Sequence, residues 1–224
     1  MPITILYEDR WIIVAQKPAG LATQTAKVSE PDCISLLKEH IRKTDPGVKS
    51  EPYIGVIHRL DQPVEGLLVF AKDKKTAASL SDQVRSDLMN KYYLALVEGI
   101  VNCPQETTLT DYMYKDPKTS KAVIADDKEK TAGVDLCEAS LIYKTEKILE
   151  SENKTILSIR LITGRFHQIR AQMAHMGHPI VGDRKYGSSQ PYPKGIALVA
   201  NRLEFIHPRS GEKVEKAVDF SFFL

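Results

Sequence analysis

The sequence predicts an α+β domain, a mixed and mainly antiparallel sheet with flanking helices. Three observations carry that expectation. Short apolar runs broken by Pro, Gly or charged turns recur along the chain and read as strands. Helix-like spacing is confined to three stretches, near 31–45, 73–89 and 166–176. No linker, low-complexity tract or repeat interrupts the 224 residues, so one domain over 1–224 is expected.

Taken in order, residues 3–15 are two apolar runs around a polar turn (Glu8, Asp9, Arg10), a β-hairpin. Lys17-Pro18-Ala19-Gly20 ends it, and Lys17 reads as an exposed turn lysine. Pro31-Asp32 opens a helix carrying Ile34, Leu36, Leu37 and Ile41, which Pro46-Gly47 closes. Residues 43–52 are polar and read as a surface loop. Gly55-Val56-Ile57 then runs into His58-Arg59-Leu60-Asp61, the turn signal Gln62-Pro63, and, after Gly66, the run Leu67–Ala71. That is strand, loop, strand, with a carboxylate flanked by His and Arg on the loop.

Asp73 is placed to cap a helix reaching about Met89, with Leu80, Val84 and Leu88 as its apolar stripe. Lys91–Gly99 alternates so that Tyr93, Ala95 and Val97 share one face of a strand. Residues 100–154 are the least legible, with strands suggested around Tyr112 and Tyr114 and from Ala132 to Tyr143, separated by charged hairpins such as DDKEK at 126–130. Thr155–Leu161 is a strand and Thr163-Gly164 its turn. The following helix runs from about Phe166 to Met176, with Phe166, Ile169, Met173 and Ala174 inward and Gly177 as its C′ residue. The stretch ALVANRLEFIHPRSGE, 197–212, reads as two strands around a turn.

Composition is that of an ordinary globular protein, 42% hydrophobic and 27% charged. No apolar run approaches the ~20 residues of a membrane helix, and no basic-then-apolar leader opens the chain; a cytoplasmic protein is expected. Cys33, Cys103 and Cys137 are odd in number and far apart, which suggests reduced thiols rather than a disulfide framework or zinc site. His167, His175 and His178 match no zinc spacing, so no metal and no cofactor is expected. The net charge is +2, but it is uneven. Arg160, Arg165, Arg170, Arg184 and Lys185 lie in a stretch whose only nearby acid is Asp183. Acids gather at Asp126, Asp127 and Glu129 and at Glu146, Glu150 and Glu152. A partly basic face suits a phosphate backbone.

By spacing alone, Asp61 and Arg59 read as an ordinary loop ion pair. HRLD at 58–61, followed by a Gly and a run ending Ala71-Lys72, resembles the signature of the RluA-like pseudouridine synthases. Three further pieces share the likeness: Lys91-Tyr92-Tyr93, the stretch LITGRFHQIRAQMAHMGHPIVGDRKYG at 161–187, and the YED and KPAG pieces near the N-terminus. The resemblance covers most of residues 4–216 and departs from the family pattern at Val64-Glu65 (usually Thr-Ser), at Phe166 (often Thr or Ser) and at Val199 (usually His). It implies the pseudouridine synthase catalytic fold with a central cleft, here without an S4-type extension. It assigns Asp61 as the catalytic carboxylate, Arg165 as its ion-pair partner and Tyr93 as the ring that stacks on the uracil.

The reaction so implied breaks the ribose–N1 bond of uridine, turns the base and rejoins ribose to C5. It needs a carboxylate, a cation that keeps it ionised, and room for a flipped base, with no redox step or metal. Covalent attack by Asp61 and proton abstraction by it are both open. The resemblance puts Arg59 in the space left by the base and leaves His58 beside it as an RNA contact. Arg170 reads equally as a phosphate contact and as a surface arginine. The expected partner is structured RNA, ribosomal or transfer, bound by a monomer with no membrane and no obligatory protein. Two rivals stand beside this reading: a catalytically silent RNA-binding protein with the same fold, and a glycoside-type hydrolase, which needs a second positioned acid where only Glu65 is near in sequence.

Overall fold

The computed structural model describes residues 3–25, 30–47, 49–125, 134–219 and 222. In chain order the strands are β1 (Thr4–Glu8), β2 (Ile12–Lys17), β3 (Gly55–Val56), β4 (Glu65–Ala71), β5 (Asn90–Glu98) and β6 (Thr107–Asp116). Then follow β7 (Lys121–Ile124), β8 (Cys137–Leu149), β9 (Lys154–Leu161), β10 (Leu198–Ile206) and β11 (Lys213–Ala217). The helices are α1 (Cys33–Thr44), α2 (Lys74–Arg85) and α3 (Gln168–His175). The chain forms two compact units, one of Met1–Lys91 with Val199–Phe220 and one of Tyr92–Leu198 with Ser221–Leu224. The acidic group Asp126, Asp127 and Glu129, the DDKEK hairpin, and the first two residues of the strand expected from Ala132 lie outside the described residues.

In the first unit β1 and β2 form the expected hairpin, its turn closed by Asp9, whose Oδ1 accepts from the amides of Trp11 at 2.7 Å and Ile12 at 2.8 Å. β2 pairs antiparallel with β4 from Ile12↔Ala71 to Lys17↔Gly66. The other edge of β4 is shared, with β10 running parallel at Val199↔Glu65 and Ala200↔Gly66 and β3 antiparallel at Gly55↔Ala71. At Gly66 φ is +135° and a Cβ would lie 2.4 Å from the carbonyl oxygen of Ala200, so this crossing accepts only glycine. Beneath the strands Ile12, Val14, Leu67, Val69, Leu80, Met89, Leu203 and Phe205 form one apolar cluster. Asp32 caps α1 through a reciprocal bond pair with Ser35, and Asp73 caps α2 through the amide of Thr76, as its sequence position predicts.

α2 stops at Arg85, short of the Met89 expected. Asp87 takes φ +54° and the amide of Leu88 bonds back to the carbonyl of Gln83 at 2.9 Å, a Schellman-type ending. Leu88 is therefore thrown outward, 57% exposed, while Met89 is buried in the core. The C-terminal hairpin also differs from expectation. Residues 198–206 are one continuous strand, and its partner is β11, beyond the turn.

In the second unit the strand order is β5-β9-β8-β6-β7, with β6, β7, β8 and β9 pairing antiparallel. α3 starts at Gln168 because His167, its N-cap, sits at φ +53°. Ile169 and Met173 are buried as expected, but Phe166 lies before the helix and is 41% exposed. The buried set includes Gln168, Arg170 and Gln172, so α3 rests on polar as well as apolar side chains. Gly177, at φ +83°, follows it as the C′ residue. No helix among the described residues is long and apolar enough to cross a membrane, which leaves strand-built spans unaddressed.

Candidate active site

Asp61 stands in a four-residue turn in which the amide of Val64 donates to its carbonyl at 3.0 Å. The loop is held from below by the segment after β2. Lys17, far from being an exposed turn residue, is wholly buried. Its Nζ donates to the carbonyls of Leu21 at 2.8 Å, Pro18 at 3.1 Å and Gln62 at 3.1 Å. Gln62 in turn accepts from the amide of Gly20 at 2.8 Å and returns its Nε2 to the Gly20 carbonyl at 3.0 Å. Thr23 brackets Leu60, its hydroxyl donating to the Leu60 carbonyl at 3.0 Å and accepting from the Leu60 amide at 3.2 Å. The residues on both sides of Asp61 are thus fixed through backbone atoms.

Burial brings the Lys17 ammonium down to about 8 from 10.5, opposed by the carboxylates of Asp61 and Glu65. Cys33 itself is pushed up to about 11 by burial and stays a thiol. At neutral pH, therefore, the loop carries a buried cation under its carboxylates. His58 is the reverse case. Both of its ring nitrogens are shut off from solvent and have no hydrogen-bond partner among the described residues. Burial, with the Lys91 charge nearby, pushes the imidazole down to about 3, so it is neutral. Arg59 is exposed.

In the second unit Arg165 lies exposed just before α3, its Nε donating to the Glu138 carbonyl at 2.8 Å. Its backbone is set by buried Gln168, whose Oε1 accepts from the Arg165 amide at 3.0 Å and the Thr163 hydroxyl at 2.8 Å. The Gln168 Nε2 donates to the Ser140 carbonyl at 3.1 Å. Arg170 is 5% exposed and holds Asp183 with two bonds, Nε at 2.6 Å and Nη2 at 2.9 Å. Arg170 is therefore not a surface arginine. Tyr93 is 5% exposed on β5, with Tyr92 partly exposed beside it, as the alternation predicts. Among the described residues no three His, Cys, Asp or Glu side chains are grouped to hold a metal ion.

The family model for RNA pseudouridylate synthase matches residues 11–175. The chain belongs to that family. It is 34% identical over 222 residues to a ribosomal large subunit pseudouridine synthase D of Xylella fastidiosa, covering 93% of this chain and 63% of the relative. It is 32% identical to an uncharacterized RNA pseudouridine synthase of Helicobacter pylori, covering 96% of this chain and 65% of that one. The chain thus spans a little under two thirds of the length of these curated relatives. Two solved structures share the fold. Human RNA pseudouridylate synthase domain containing 1 superposes at TM-score 0.74 with 22% identity, covering 97% of this chain and 83% of its own. Human RNA pseudouridylate synthase domain containing 4 gives 0.73 with 21% identity, covering 97% and 88%. The α+β fold of the pseudouridylate synthases is therefore the fold of this chain.

Against the family pattern the two departures after Asp61 find ready places. Val64 is 2% exposed and packs inward. The Glu65 carboxylate accepts from Gln16 Nε2 at 2.8 Å, so the added charge is tied back to β2. Lys17, Thr23 and Gln168 carry no signature of their own, and only the KPAG and TGRFHQ contexts signalled that such positions matter.

Proposed function

We propose that this chain isomerises uridine to pseudouridine in structured RNA, with Asp61 as the catalytic carboxylate. The observation that carries the reading is the family match over residues 11–175, which spans Asp61, Tyr93 and Arg165. A buried cradle beneath the Asp61 loop gives it physical support. In the reaction the C1′–N1 bond breaks, a C1′–C5 bond forms, C5 loses its proton and N1 gains one. Atoms and electrons balance without an oxidant, reductant or external nucleophile, so no cofactor is invoked.

In this reading Asp61 acts on the ribose or the base, Arg165 supplies its counter-charge, and Tyr93 stacks on the uracil and assists loss of the C5 proton. Arg59, exposed beside Asp61, occupies the space a flipped base leaves, flipping itself costing a few kcal/mol of stacking and pairing. His58 and Arg170 are reassigned. The first has both ring nitrogens buried and is neutral, the second is bonded to Asp183, and we read each as a structural residue of its own unit. Ribosomal RNA is placed ahead of transfer RNA because curated relatives are named for the ribosomal large subunit. We further read the two units as one catalytic domain, monomeric and cytoplasmic.

The test is pseudouridine mapping of total RNA from a deletion strain complemented with the wild type or with Asp61→Ala. One or a few pseudouridines should vanish on deletion and return only with the wild type. A map unchanged by deletion would overturn the enzymatic reading and leave an RNA-binding protein that has kept the fold.

A further inference from the structure

Phe166 is one of the few large apolar side chains left in solvent, and it is held there by a chain of contacts. Its ring stacks on that of His167, with centroids 3.8 Å apart and planes 20° from parallel. His167 is fixed in turn, although its backbone takes the left-handed conformation that side chains other than glycine seldom adopt. Its Nδ1 is hydrogen-bonded to the Tyr186 hydroxyl at 2.8 Å. That hydroxyl also accepts from the Ala122 amide at 2.7 Å, and the Tyr186 ring carries the Arg170 guanidinium 5.0 Å from its centroid. Arg170 is immobilised by Asp183. Left-handed backbone, stacking and a buried ion pair thus fix an apolar ring outside the core, where a flexible side chain would lose less conformational entropy by staying mobile.

The surroundings of that ring are cationic. Lys115 Nζ lies 4.8 Å from its centroid, and exposed Arg165 precedes it in the chain. Lys185 anchors to the carbonyl of Ser120 at 2.7 Å, in the β6–β7 turn beyond Lys115. Among the described residues, Asp116 follows Lys115 in sequence, and its carboxylate is occupied by the Lys118 amide at 3.0 Å and the Thr119 hydroxyl at 2.6 Å; Glu138, on β8, gives its backbone carbonyl to Arg165. A rigid exposed aromatic with a lysine at its face and an arginine beside it is the chemistry of nucleobase stacking coupled to phosphate attraction.

We propose that Phe166 is a stacking platform for an RNA base other than the reacting uridine, with Lys115 pairing to the adjoining phosphate. The choice of RNA as ligand rests on the function proposed above. The role assigned to Phe166 is binding and selection of the RNA, not chemistry at the target base.

The test uses the full chain and ribosomal RNA purified from the deletion strain, with binding measured across a salt series. Phe166→Leu keeps an apolar side chain but loses the π face, and should weaken binding about tenfold. Lys115→Gln should weaken it less and reduce the salt slope by about one ion. Phe166→Trp should retain affinity, and its added indole emission, read against the protein's single native Trp11, should be quenched by RNA. Urea midpoints equal to wild type for all three confirm that folding is not being read. Wild-type affinity in Phe166→Leu, an unquenched indole in Phe166→Trp, or no binding of this RNA by the wild type overturns the platform. Failure of the two readings is distinguishable. A wild type that binds but isomerises nothing removes the enzymatic reading alone, while an active wild type matched by Phe166→Leu in binding removes the platform alone.

Discussion

The two motif-bearing segments solve the same problem with different physics. The Asp61 loop is held by a buried ammonium, Lys17, that spreads three bonds over backbone carbonyls and, among the described residues, has no carboxylate in hydrogen-bonding contact. The Arg165 segment is held by a neutral amide, Gln168, and braced behind by a buried, doubly bonded Arg170–Asp183 pair. A lone buried cation bears its desolvation cost against partial charges and so remains sensitive to pH. A bidentate pair cancels charge locally, and its vulnerability is to loss of one partner. One loop is thus tuned by protonation and the other by pairing.

The largest break in that contrast should come from Asp183→Ala. It leaves the Arg170 guanidinium buried without its carboxylate and should cost about 3–5 kcal/mol, measured by urea unfolding of the full chain. Loss of well under about 1 kcal/mol would mean the pair contributes little and the brace lies elsewhere.

A smaller and pH-dependent effect is expected from Lys17→Met. At pH 7 the change leaves carbonyls without their donor and should cost about 1–3 kcal/mol, together with a fall in kcat as the Asp61 loop loosens. The sign of the pH dependence follows from its depressed folded value. Between about 8 and 10.5 the unfolded chain keeps a proton that folded Lys17 has released, so wild-type stability rises through that window relative to Lys17→Met. A stability difference between the two proteins that stays flat from pH 7 to 10.5 would show that burial does not depress Lys17.

The smallest effect sharpens the comparison by its absence. His58, held down to about 3 by burial, should show no imidazole titration between pH 5 and 8 in NMR. Its contribution to stability is present above 6.5 and lost as pH falls towards 3, because the unfolded chain takes up the proton that the folded ring refuses. A midpoint near 6.5 would mean that the ring is solvated and that His58 can face RNA after all.

Local chemistry was legible in the sequence wherever neighbours in the chain decide the outcome. The caps Asp32 and Asp73, the terminator Gly177, the alternation that buries Tyr93 and the hairpin at Asp9 all follow from residues a few positions apart. Family membership was legible for another reason, since short motifs around Asp61, Tyr93 and Arg165 resemble the family's and lie within the matched residues 11–175. Helical spacing is no guide beyond a turn. The stripe through Leu80, Val84 and Leu88 continues on paper, but the left-handed Asp87 ends the helix first. Phe166 reads as core by its spacing from Ile169 and Met173, yet α3 begins only after His167.

The sequence by itself determined which short segments become strands and helices and which residues belong to the family signature, because those depend on period, capping and motif. Only the tertiary structure decided what each charged or aromatic side chain does. Lys17 moved from the surface to the floor of the Asp61 loop, Arg170 from a possible surface position to a buried pair, and Phe166 from the core to solvent. Whether a cation is buried, or a ring exposed, depends on partners 13 residues away for Arg170 and 45 for Lys17, and Gln62 and Asp183 carry no local mark of that role.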